Sequence, residues 1–399
     1  MGSHPEVVLV GGGIGGLFAA NALIAQGLRV SVYEQAPALG EVGAGVFLTP
    51  NSVRQLERLK LGAAVEKKGT RVGHGSRYFR DDGTLIAPVQ VTDSSGWNAT
   101  FGMHRADLIE ILATALPVGV VRTGHKCVAF EQAGETVRLS FENGVVVESD
   151  VVVAADGIHS ALRPYVFPPS RPVFSGSVAY RGVLARERVP EWPADAWMMW
   201  LGKGKHFLTF PVRAGTLINF VGFVPADNEM KESWSAPGDP DMLRQEFAGW
   251  DQRIASLLQK VRTTFRSALY DREPLPTWTR GRLTLLGDAA HPMISDKQFA
   301  LMKPTAFIIN TARGAVVDEK ALVRALKKKK IAGAGLDVFE HEPKIPPVFK
   351  TMKNVVLTPH LGSAVMEVRE QMANIVVDNI QAFIDGRTPP NCVNPQVLA

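Results

Sequence analysis

Hydrophobic positions at the start of the chain fall into short apolar runs that flank a longer apolar segment. Val7–Val10 has the length of a buried strand, Leu17–Gln26 that of a helix, and Val30–Tyr33 that of a second strand. A run of glycines separates the first strand from the helix. This order predicts a strand, a tight turn, a helix and a second strand, which is the pattern of a parallel α/β sheet.

The middle of the chain has a different pattern. Between residues 171 and 280, apolar and polar positions alternate in strand-like segments, among them Ser177–Val183, His206–Pro211 and Leu217–Phe223. Alternation with a period of two is typical of strands that present two different faces. The region therefore predicts a second sheet, distinct from the first.

Two helices are predicted near the end of the chain. Leu322 and Leu326 mark one apolar face of a helix that follows Asp318. The lysines at 327–330 then come at its carboxyl end, where cations complement the helix dipole, so they indicate a solvated helix end. Glu367–Ile384 carries an apolar stripe, with Gly386 as a stop. The stripe consists of Val368, Met372, Ile375, Val376 and Phe383.

Composition narrows the class of protein. With 399 residues and 46% hydrophobic composition, the chain can form cores for two or three domains. The net charge is +5, but the basic residues are dispersed, which argues against a nucleic acid partner. No apolar run approaches the ~20 residues of a membrane helix, so no membrane partner is expected. Cys127 and Cys392 have no metal-ligand spacing, which favours no metal site and a reducing cytoplasm.

The glycines after the first apolar run have the spacing of a dinucleotide cradle. Gly11 allows a tight turn, Gly13 lets the backbone approach a pyrophosphate, and Gly16 lets the helix pack closely. The amino terminus of the helix adds N–H donors and its dipole. Glu34 ends the second strand, where a carboxylate accepts hydrogen bonds from a ribose and disfavours a 2′-phosphate at that subsite.

Further motifs follow in a fixed order: Gly40–Val46, Met103–Leu108, Asp150–Ser160 and Leu283–Pro292. With the glycine cradle, they make residues 1–293 resemble the group A FAD-dependent aromatic hydroxylases of the salicylate and 3-hydroxybenzoate hydroxylase type. The resemblance implies an α/β fold with a Rossmann-like FAD-binding domain over residues 5–170, completed by 281–293. It also implies an inserted α+β sheet domain over 171–280 that binds the substrate.

The same resemblance implies site residues. The FAD-binding set comprises Gly11, Gly13, Gly16, Glu34, Arg105, Asp156, Gly157, Gly287 and Asp288. Asp156 and Gly157 would also serve the electron donor, NADH or NADPH. The expected partner is a small aromatic acid.

Three aromatic side chains are candidates to touch the ring of that acid: Tyr180, His206 and Tyr270. A histidine can draw a proton from a phenol near neutral pH, which makes the ring a better nucleophile. The alternative is that His206 is a hydrogen-bonded strand residue and Tyr180 a core tyrosine.

The last quarter carries a second set of motifs: Met302–Gly314, Ala334–Pro343 and Val356–Ser363. They resemble the C-terminal part of the D-2-hydroxyacid dehydrogenases of the glyoxylate and phosphoglycerate dehydrogenase type, so residues 294–399 predict a partial Rossmann-like, NAD-binding segment. By that resemblance Arg313 binds a substrate carboxylate and His360 exchanges a proton with the hydroxyl. Glu342 pairs with His360, and Asp337 holds the nicotinamide amide.

The chain is thus a chimera with its junction near residue 293, and each part lacks a piece. The glycine-rich helix expected after His291 and Pro292 is replaced, and no second glycine cradle precedes the dehydrogenase-like part. Three hypotheses follow. The first is an FAD-dependent monooxygenase acting on a hydroxybenzoate-type acid with NAD(P)H and O₂, impaired by the foreign tail. The second is a glyoxylate reductase-like, NAD(P)-dependent dehydrogenase fragment, and the third a partly folded chimera without catalysis.

Some properties stay open at this point. The ring substrate, the position hydroxylated and the choice between NADH and NADPH do not follow from the motifs. The oligomeric state is also open, and the apolar stripe of Glu367–Ile384 would suit a homodimer.

Overall fold

The computed structural model describes residues 5–40, 45–89, 91–92, 96–168, 172–202, 204–226, 236–271, 275, 277–290, 302, 304–310, 314, 317–340 and 344–357. The chain separates into two compact units. The first unit contains the described parts of Gly11–Lys126 and Val173–Asp271. The second contains the described parts of Pro5–Val10, Cys127–Pro172 and Arg272–Ala399.

The helices are α1 (Ile14–Ala25), α2 (Pro50–Arg58), α3 (Gly62–Lys68), α4 (Arg105–Thr114), α5 (Arg163–Val166), α6 (Pro240–Glu246), α7 (Gln252–Lys260) and α8 (Glu319–Lys327). The strands are β1 (Glu6–Val10), β2 (Arg29–Tyr33), β3 (Gly45–Leu48), β4 (Thr70–Arg71), β5 (Arg77–Arg80), β6 (Leu85–Pro88), β7 (Phe101–His104), β8 (Val121–Arg122), β9 (Cys127–Ala133), β10 (Thr136–Phe141), β11 (Val146–Ser149), β12 (Val151–Ala154), β13 (Val173–Ala185), β14 (Met198–Gly202), β15 (Lys205–Val212), β16 (Leu217–Pro225), β17 (Pro237–Gly238), β18 (Thr264–Asp271), β19 (Thr279–Arg280), β20 (Leu283–Leu285), β21 (Phe307–Asn310), β22 (Gly333–Leu336) and β23 (Val355–Leu357).

Parallel pairing joins β1, β12 and β20 of the second unit in one sheet. β1 pairs with β12 through Val7 and Val151, and β12 pairs with β20 through Val152 and Leu283, both in parallel register. The antiparallel β19 closes this edge. Parallel strands are usually buried on both faces, which explains why β1 and β12 are continuous apolar runs. The α/β prediction from those runs is confirmed.

In the first unit, α1 is tied to α4 by one polar side chain. Asn21 Nδ2 donates to the carbonyl oxygens of Leu17 and Leu112, each at 2.8 Å. Leu17 and Leu23 are buried on the same helix. α1 therefore has a fixed direction within its unit, and its amino terminus at Gly13 is fixed with it.

The eight-stranded sheet of the first unit has the order β17-β18-β13-β16-β15-β14-β5-β6. One face packs on α6 and α7, in a cluster that we call the outer core. It includes Tyr180, Trp200, Phe207, Phe220, Phe247, Trp250 and Leu257. Side chains alternate along a strand, so Leu208 and Phe210 of β15 lie on the opposite face, which we call the inner face.

Asp251 connects α7 to the outer core. Its side chain caps α7, because Oδ1 accepts the backbone N–H of Arg253 at 2.9 Å. Its Oδ2 accepts the indole N–H of Trp200 at 2.7 Å. The Arg253 guanidinium also donates to Oδ2 at 2.9 Å and lies 4.1 Å from the centre of the Phe79 ring. Burial raises the pKa of Asp251, but the hydrogen bonds from Arg253 and Trp200 outweigh it and lower the pKa.

We expect Asp251→Ala to lower the free energy of unfolding by about 2–4 kcal/mol, because it removes a helix cap and leaves the buried Trp200 N–H unpaired. Urea unfolding measures this change. Asp241→Ala is the matched control, since Asp241 is exposed and pairs with Arg244 on the surface of α6, where about 0.5 kcal/mol or less is expected. Equal losses in the two variants would contradict the buried network.

The depressed pKa of Asp251 also predicts a pH dependence. The ionised carboxylate is favoured by folding, so its contribution is complete above the unfolded value of about 3.9 and is lost as the pH falls through the lower folded value. The difference in stability between wild type and Asp251→Ala should therefore be constant at neutral pH and shrink only in strong acid.

The dehydrogenase-like part of the second unit forms its own small parallel sheet, β21-β22-β23. α8 covers one face, with Leu322 and Leu326 buried against Ile308. Asp318 caps α8 by accepting the N–H of Ala321 at 2.8 Å. The lysines at 327–330 are exposed at the other end of α8, which confirms the predicted helix end.

Two features of the tail need separate mention. On the face of the small sheet opposite α8, Phe307, Ile309 and Val356 are 65%, 58% and 67% exposed. The predicted helix Glu367–Ile384 and its stripe lie outside the described residues. Among the helices that the structure describes, none has the length and apolar character needed to cross a membrane.

Candidate functional site

The glycine loop before α1 has the conformation that its sequence predicts. Gly11 has φ of 110°, a value that favours glycine, and its N–H donates to the carbonyl of Tyr33 at 2.8 Å. Gly13 is the N-cap of α1, and a Cβ placed on it would meet no atom within 4 Å. Gly16 is buried inside the helix. The loop thus leaves open space in front of a helix amino terminus, where N–H groups attract an anion.

Glu34 holds this loop in place. Its Oε2 accepts the N–H of Gly12 at 2.6 Å, and its Oε1 accepts the N–H of Ala36 at 2.8 Å. A Cβ on Gly12 would lie 3.0 Å from the Cβ of Glu34, so the close approach depends on glycine. Each carboxylate oxygen has a second lone pair. Glu34 can therefore fix the loop and still accept a hydrogen bond from a ribose.

Arg105 and Arg181 bring two positive charges together in the first unit. Arg105 begins α4, and Arg181 lies on β13. Burial lowers the pKa of Arg181 to about 10, and the charge of Arg105 contributes to the decrease. A guanidinium group of this kind can pair with an anion through two parallel hydrogen bonds.

Asp156 of the second unit follows β12. Its Oδ2 accepts the N–H of Ala161 at 2.8 Å and of Leu162 at 3.3 Å. Its Oδ1 is buried and accepts no hydrogen bond from the residues described. Burial raises the pKa of this carboxyl group. Gly157 beside it has φ of 77° and open space around it, so Asp156 Oδ1 can accept from a ligand hydroxyl.

The turn at Gly287, also in the second unit, presents an exposed carboxylate. Gly287 has φ of 66°, and Asp288 follows it in a single 3-10 turn that ends at Ala289. Arg163, 2% exposed, donates from Nη1 to the carbonyl of Ala289 at 2.9 Å. Sequence reasoning missed Arg163. The Ser160 hydroxyl accepts the Arg163 N–H at 2.9 Å, but this local contact does not reveal the distant partner at Ala289.

The sheet separates the three aromatic candidates. Tyr180 is fully buried in the outer core, its pKa is raised by burial, and Arg266 lies 5.4 Å from its ring centre. Tyr270 packs against the same cluster and contacts Phe174, with ring centres 5.8 Å apart. His206 lies on the inner face, stacked on Phe223 with ring centres 4.2 Å apart. The structure therefore does not bring the two tyrosines to the face that carries His206.

The dehydrogenase-like candidates are described only in part. Asp337 follows β22, is 3% exposed, and donates its backbone N–H to the carbonyl of Asn310 at 2.9 Å. Arg313, Glu342 and His360 lie outside the described residues. The parallel sheet β21-β22-β23 of this part is present. The roles of Arg313, Glu342 and His360 stay a prediction.

Comparison with known proteins gives two family matches. Residues 4–296 match the FAD binding domain family, and residues 283–362 match the NAD binding domain of the D-isomer specific 2-hydroxyacid dehydrogenases. The two matches overlap at β20 and the turn that follows it. Both predicted resemblances are confirmed.

Individual relatives point to the same chemistry. The chain is 39% identical to 3-amino-4-hydroxybenzoate 2-monooxygenase of Streptomyces platensis, over 73% of this chain and 74% of that one. It is 37% identical to salicylate hydroxylase of Pseudomonas putida, over 72% of each chain. The solved structure of HpxO from Klebsiella pneumoniae with FAD and uric acid is 29% identical, with a TM-score of 0.63 over 75% of this chain and 76% of that one.

The FAD binding domain match covers more than half of the chain, and the relatives at 37–39% identity are monooxygenases. The chain therefore belongs to the FAD-binding monooxygenase family and is an FAD-dependent oxidoreductase, with a C-terminal segment of D-2-hydroxyacid dehydrogenase type.

Proposed function

We propose that this protein hydroxylates the ring of a hydroxybenzoate-type acid in the cytoplasm, with NAD(P)H and O₂. The observation that carries the proposal is the similarity to 3-amino-4-hydroxybenzoate and salicylate hydroxylases across most of their length. In the overall reaction one oxygen atom replaces a ring hydrogen as a hydroxyl group and the other leaves as water. NAD(P)H supplies two of the four electrons that reduce O₂, and the substrate ring supplies the other two.

Each unit, taken by itself, contains residues that suit a part of FAD. Gly11, Gly13 and Gly16 would hold the pyrophosphate, and Glu34 would accept from the adenosine ribose. Arg105 adds a cation near the phosphate or ribitol side. In the second unit, Asp156 has an unpartnered buried oxygen and Asp288 an exposed carboxylate, both suited to ligand hydroxyls; Gly157 and Gly287 make their turns. FAD, when bound, carries electrons from the nicotinamide donor to oxygen.

His206 is the proposed base of the reaction. A ring nitrogen of His206 would accept the proton of the substrate phenol, which raises the electron density of the ring. Stacking on Phe223 fixes the plane of the imidazole. The buried positions of Tyr180 and Tyr270 in the outer core support a structural role for both.

A second function, reduction of a glyoxylate-like acid, is favoured by the dehydrogenase match over residues 283–362. The parallel strands β21, β22 and β23 and the buried Asp337 belong to that part. This activity would need Arg313, Glu342 and His360, and a nicotinamide site in the same part of the chain.

One set of assays separates these functions. Purified protein is incubated with FAD and desalted, and its visible absorption and its NADH and NADPH oxidation are followed with salicylate, 3-hydroxybenzoate, 3-amino-4-hydroxybenzoate or glyoxylate. We expect a retained flavin band, oxygen uptake that depends on an aromatic acid, and a product labelled by ¹⁸O₂. Glyoxylate-dependent oxidation that persists without oxygen and flavin would favour the dehydrogenase. A colourless and inactive protein would contradict both.

A further inference from the structure

In the eight-stranded sheet, Arg181 has a polar residue as a diagonal neighbour on each of the two adjacent strands. On β13, Arg181 is opposite Val221 of β16 and Phe265 of β18. Asn219 is two positions from Val221, and Ser267 is two positions from Phe265. Residues two apart on a strand point to the same face, and diagonal neighbours lie about 7–8 Å apart, within reach of a long side chain. Arg181, Asn219 and Ser267 therefore share the inner face.

Asn219 has a free donor on this face. It is 0% exposed, and its Oδ1 accepts the N–H of Gly45 at 2.8 Å. Because a backbone N–H requires an acceptor, this contact fixes the amide orientation and leaves Nδ2 as a donor. Nδ2 is buried and has no hydrogen-bond partner among the residues described. An unpaired buried donor costs about 1–3 kcal/mol, and a ligand acceptor removes that cost.

Ser267, on the strand at the other side of Arg181, is also buried and has an unpaired polar group among the described residues. It is 4% exposed, and its hydroxyl likewise makes no hydrogen bond within the described part of the chain. The strand neighbours of Arg181 on this face also include the apolar residues Ala179, Val221 and Phe265. Such a surface suits a flat aromatic ring with one polar end.

Arg181 lies within the electrostatic influence of a second arginine. Arg105 and Arg181 are close enough for the charge of Arg105 to act on Arg181, and both are at least partly buried. The planar guanidinium fork of Arg181 matches the two oxygens of a carboxylate, which can accept from it through two parallel hydrogen bonds.

We propose that Arg181, with Asn219 and Ser267, forms the subsite that binds the carboxylate of the aromatic acid. This rests on the proposed function, and it assigns substrate selection to the inner face of the sheet. A carboxylate fits better than a phosphate, because it is planar and carries one charge, and its two oxygens can accept from the Arg181 fork with Asn219 and Ser267 on either side.

The test compares an acid with the same ring without its carboxylate. The probes are 3-hydroxybenzoate and phenol, and their dissociation constants are measured from the change in flavin absorption of the FAD-loaded protein. In Arg181→Met we expect about tenfold to hundredfold weaker binding of 3-hydroxybenzoate and unchanged binding of phenol. Arg181→Lys should recover part of the loss, because it keeps the charge without the fork. Arg138→Met, at an exposed position of β10, is the matched control and should change neither constant.

Ser267→Ala keeps the test decisive if Arg181→Met does not fold. The Ser267 hydroxyl makes no hydrogen bond with the residues that the structure describes, so its removal should leave the fold intact. We expect Ser267→Ala to weaken the binding of 3-hydroxybenzoate about threefold to tenfold. Equal losses for the acid and for phenol would overturn the proposal. So would variants that change only the KM for NADH or the retention of FAD, which would assign the cations to a phosphate. Wild-type protein that holds FAD but binds no aromatic acid would overturn the proposed function as well.

Discussion

Gly11→Ala should lower the affinity for FAD by roughly tenfold to a hundredfold and leave the desalted protein nearly colourless. Gly11 has φ of 110°, and a side chain there adds strain of about 1–3 kcal/mol. The free loop can relax by giving up the hydrogen bond from Gly11 to Tyr33, but the loop that holds a pyrophosphate cannot. The substitution therefore costs the free protein only the lost hydrogen bond, whereas the FAD-bound loop keeps the backbone strain, which lowers the affinity for FAD. Retained absorption near ~450 nm and a titration with FAD measure the effect.

Gly27→Ala is the control for that experiment. Gly27 follows the other end of α1, has φ of 84°, and a Cβ there meets no atom within 4 Å. Its backbone strain is of the same kind, so thermal stability should fall in both variants while FAD retention falls only in Gly11→Ala. Equal FAD loss in the two variants would mean that the effect comes from α1 as a whole and would contradict a specific role for the glycine loop.

His206→Asn should lower the rate of hydroxylation by roughly 10²-fold to 10⁴-fold while leaving the affinity for FAD unchanged. Asparagine can keep a hydrogen bond but cannot accept the phenol proton, so NADH oxidation should continue with hydrogen peroxide as product. Product formation and hydrogen peroxide formation per NADH consumed test this expectation.

His74→Asn is the matched control, since His74 is exposed in the same unit. It should hydroxylate as the wild type does. An unchanged rate in His206→Asn would instead assign His206 to the strand, as a residue held by its stacking on Phe223.

Local features of the fold were predictable because their causes are local. Val7–Val10 and Val30–Tyr33 became strands and Leu17–Gln26 became α1 within a few residues of the predicted limits. Asp318 caps α8 as its position before an amphipathic segment indicates. The strands of residues 171–280 were found from their alternation.

The faces of those strands were not predictable. Tyr180 and Arg181 are neighbours in sequence, yet one lies in the outer core and the other on the inner face. Both faces of this sheet are largely covered, so apolar residues occur at odd and even positions, and alternation cannot say which face carries the site. The grouping of Arg181 with Asn219 and Ser267 depends on strand register across residues 181–267, which is set by tertiary packing. Arg163 was missed for the same reason, because its partner at Ala289 is 126 positions away.

β20 lies where the two family matches overlap. β20 (Leu283–Leu285) pairs in parallel with β12. Arg163 donates a hydrogen bond to the carbonyl of Ala289, which follows β20 closely in the chain. Both family matches include residues 283–296, and in this chain β20 is a strand of a parallel sheet. A change of family after this strand therefore leaves every described strand pair of the β1-β12-β20 sheet in place.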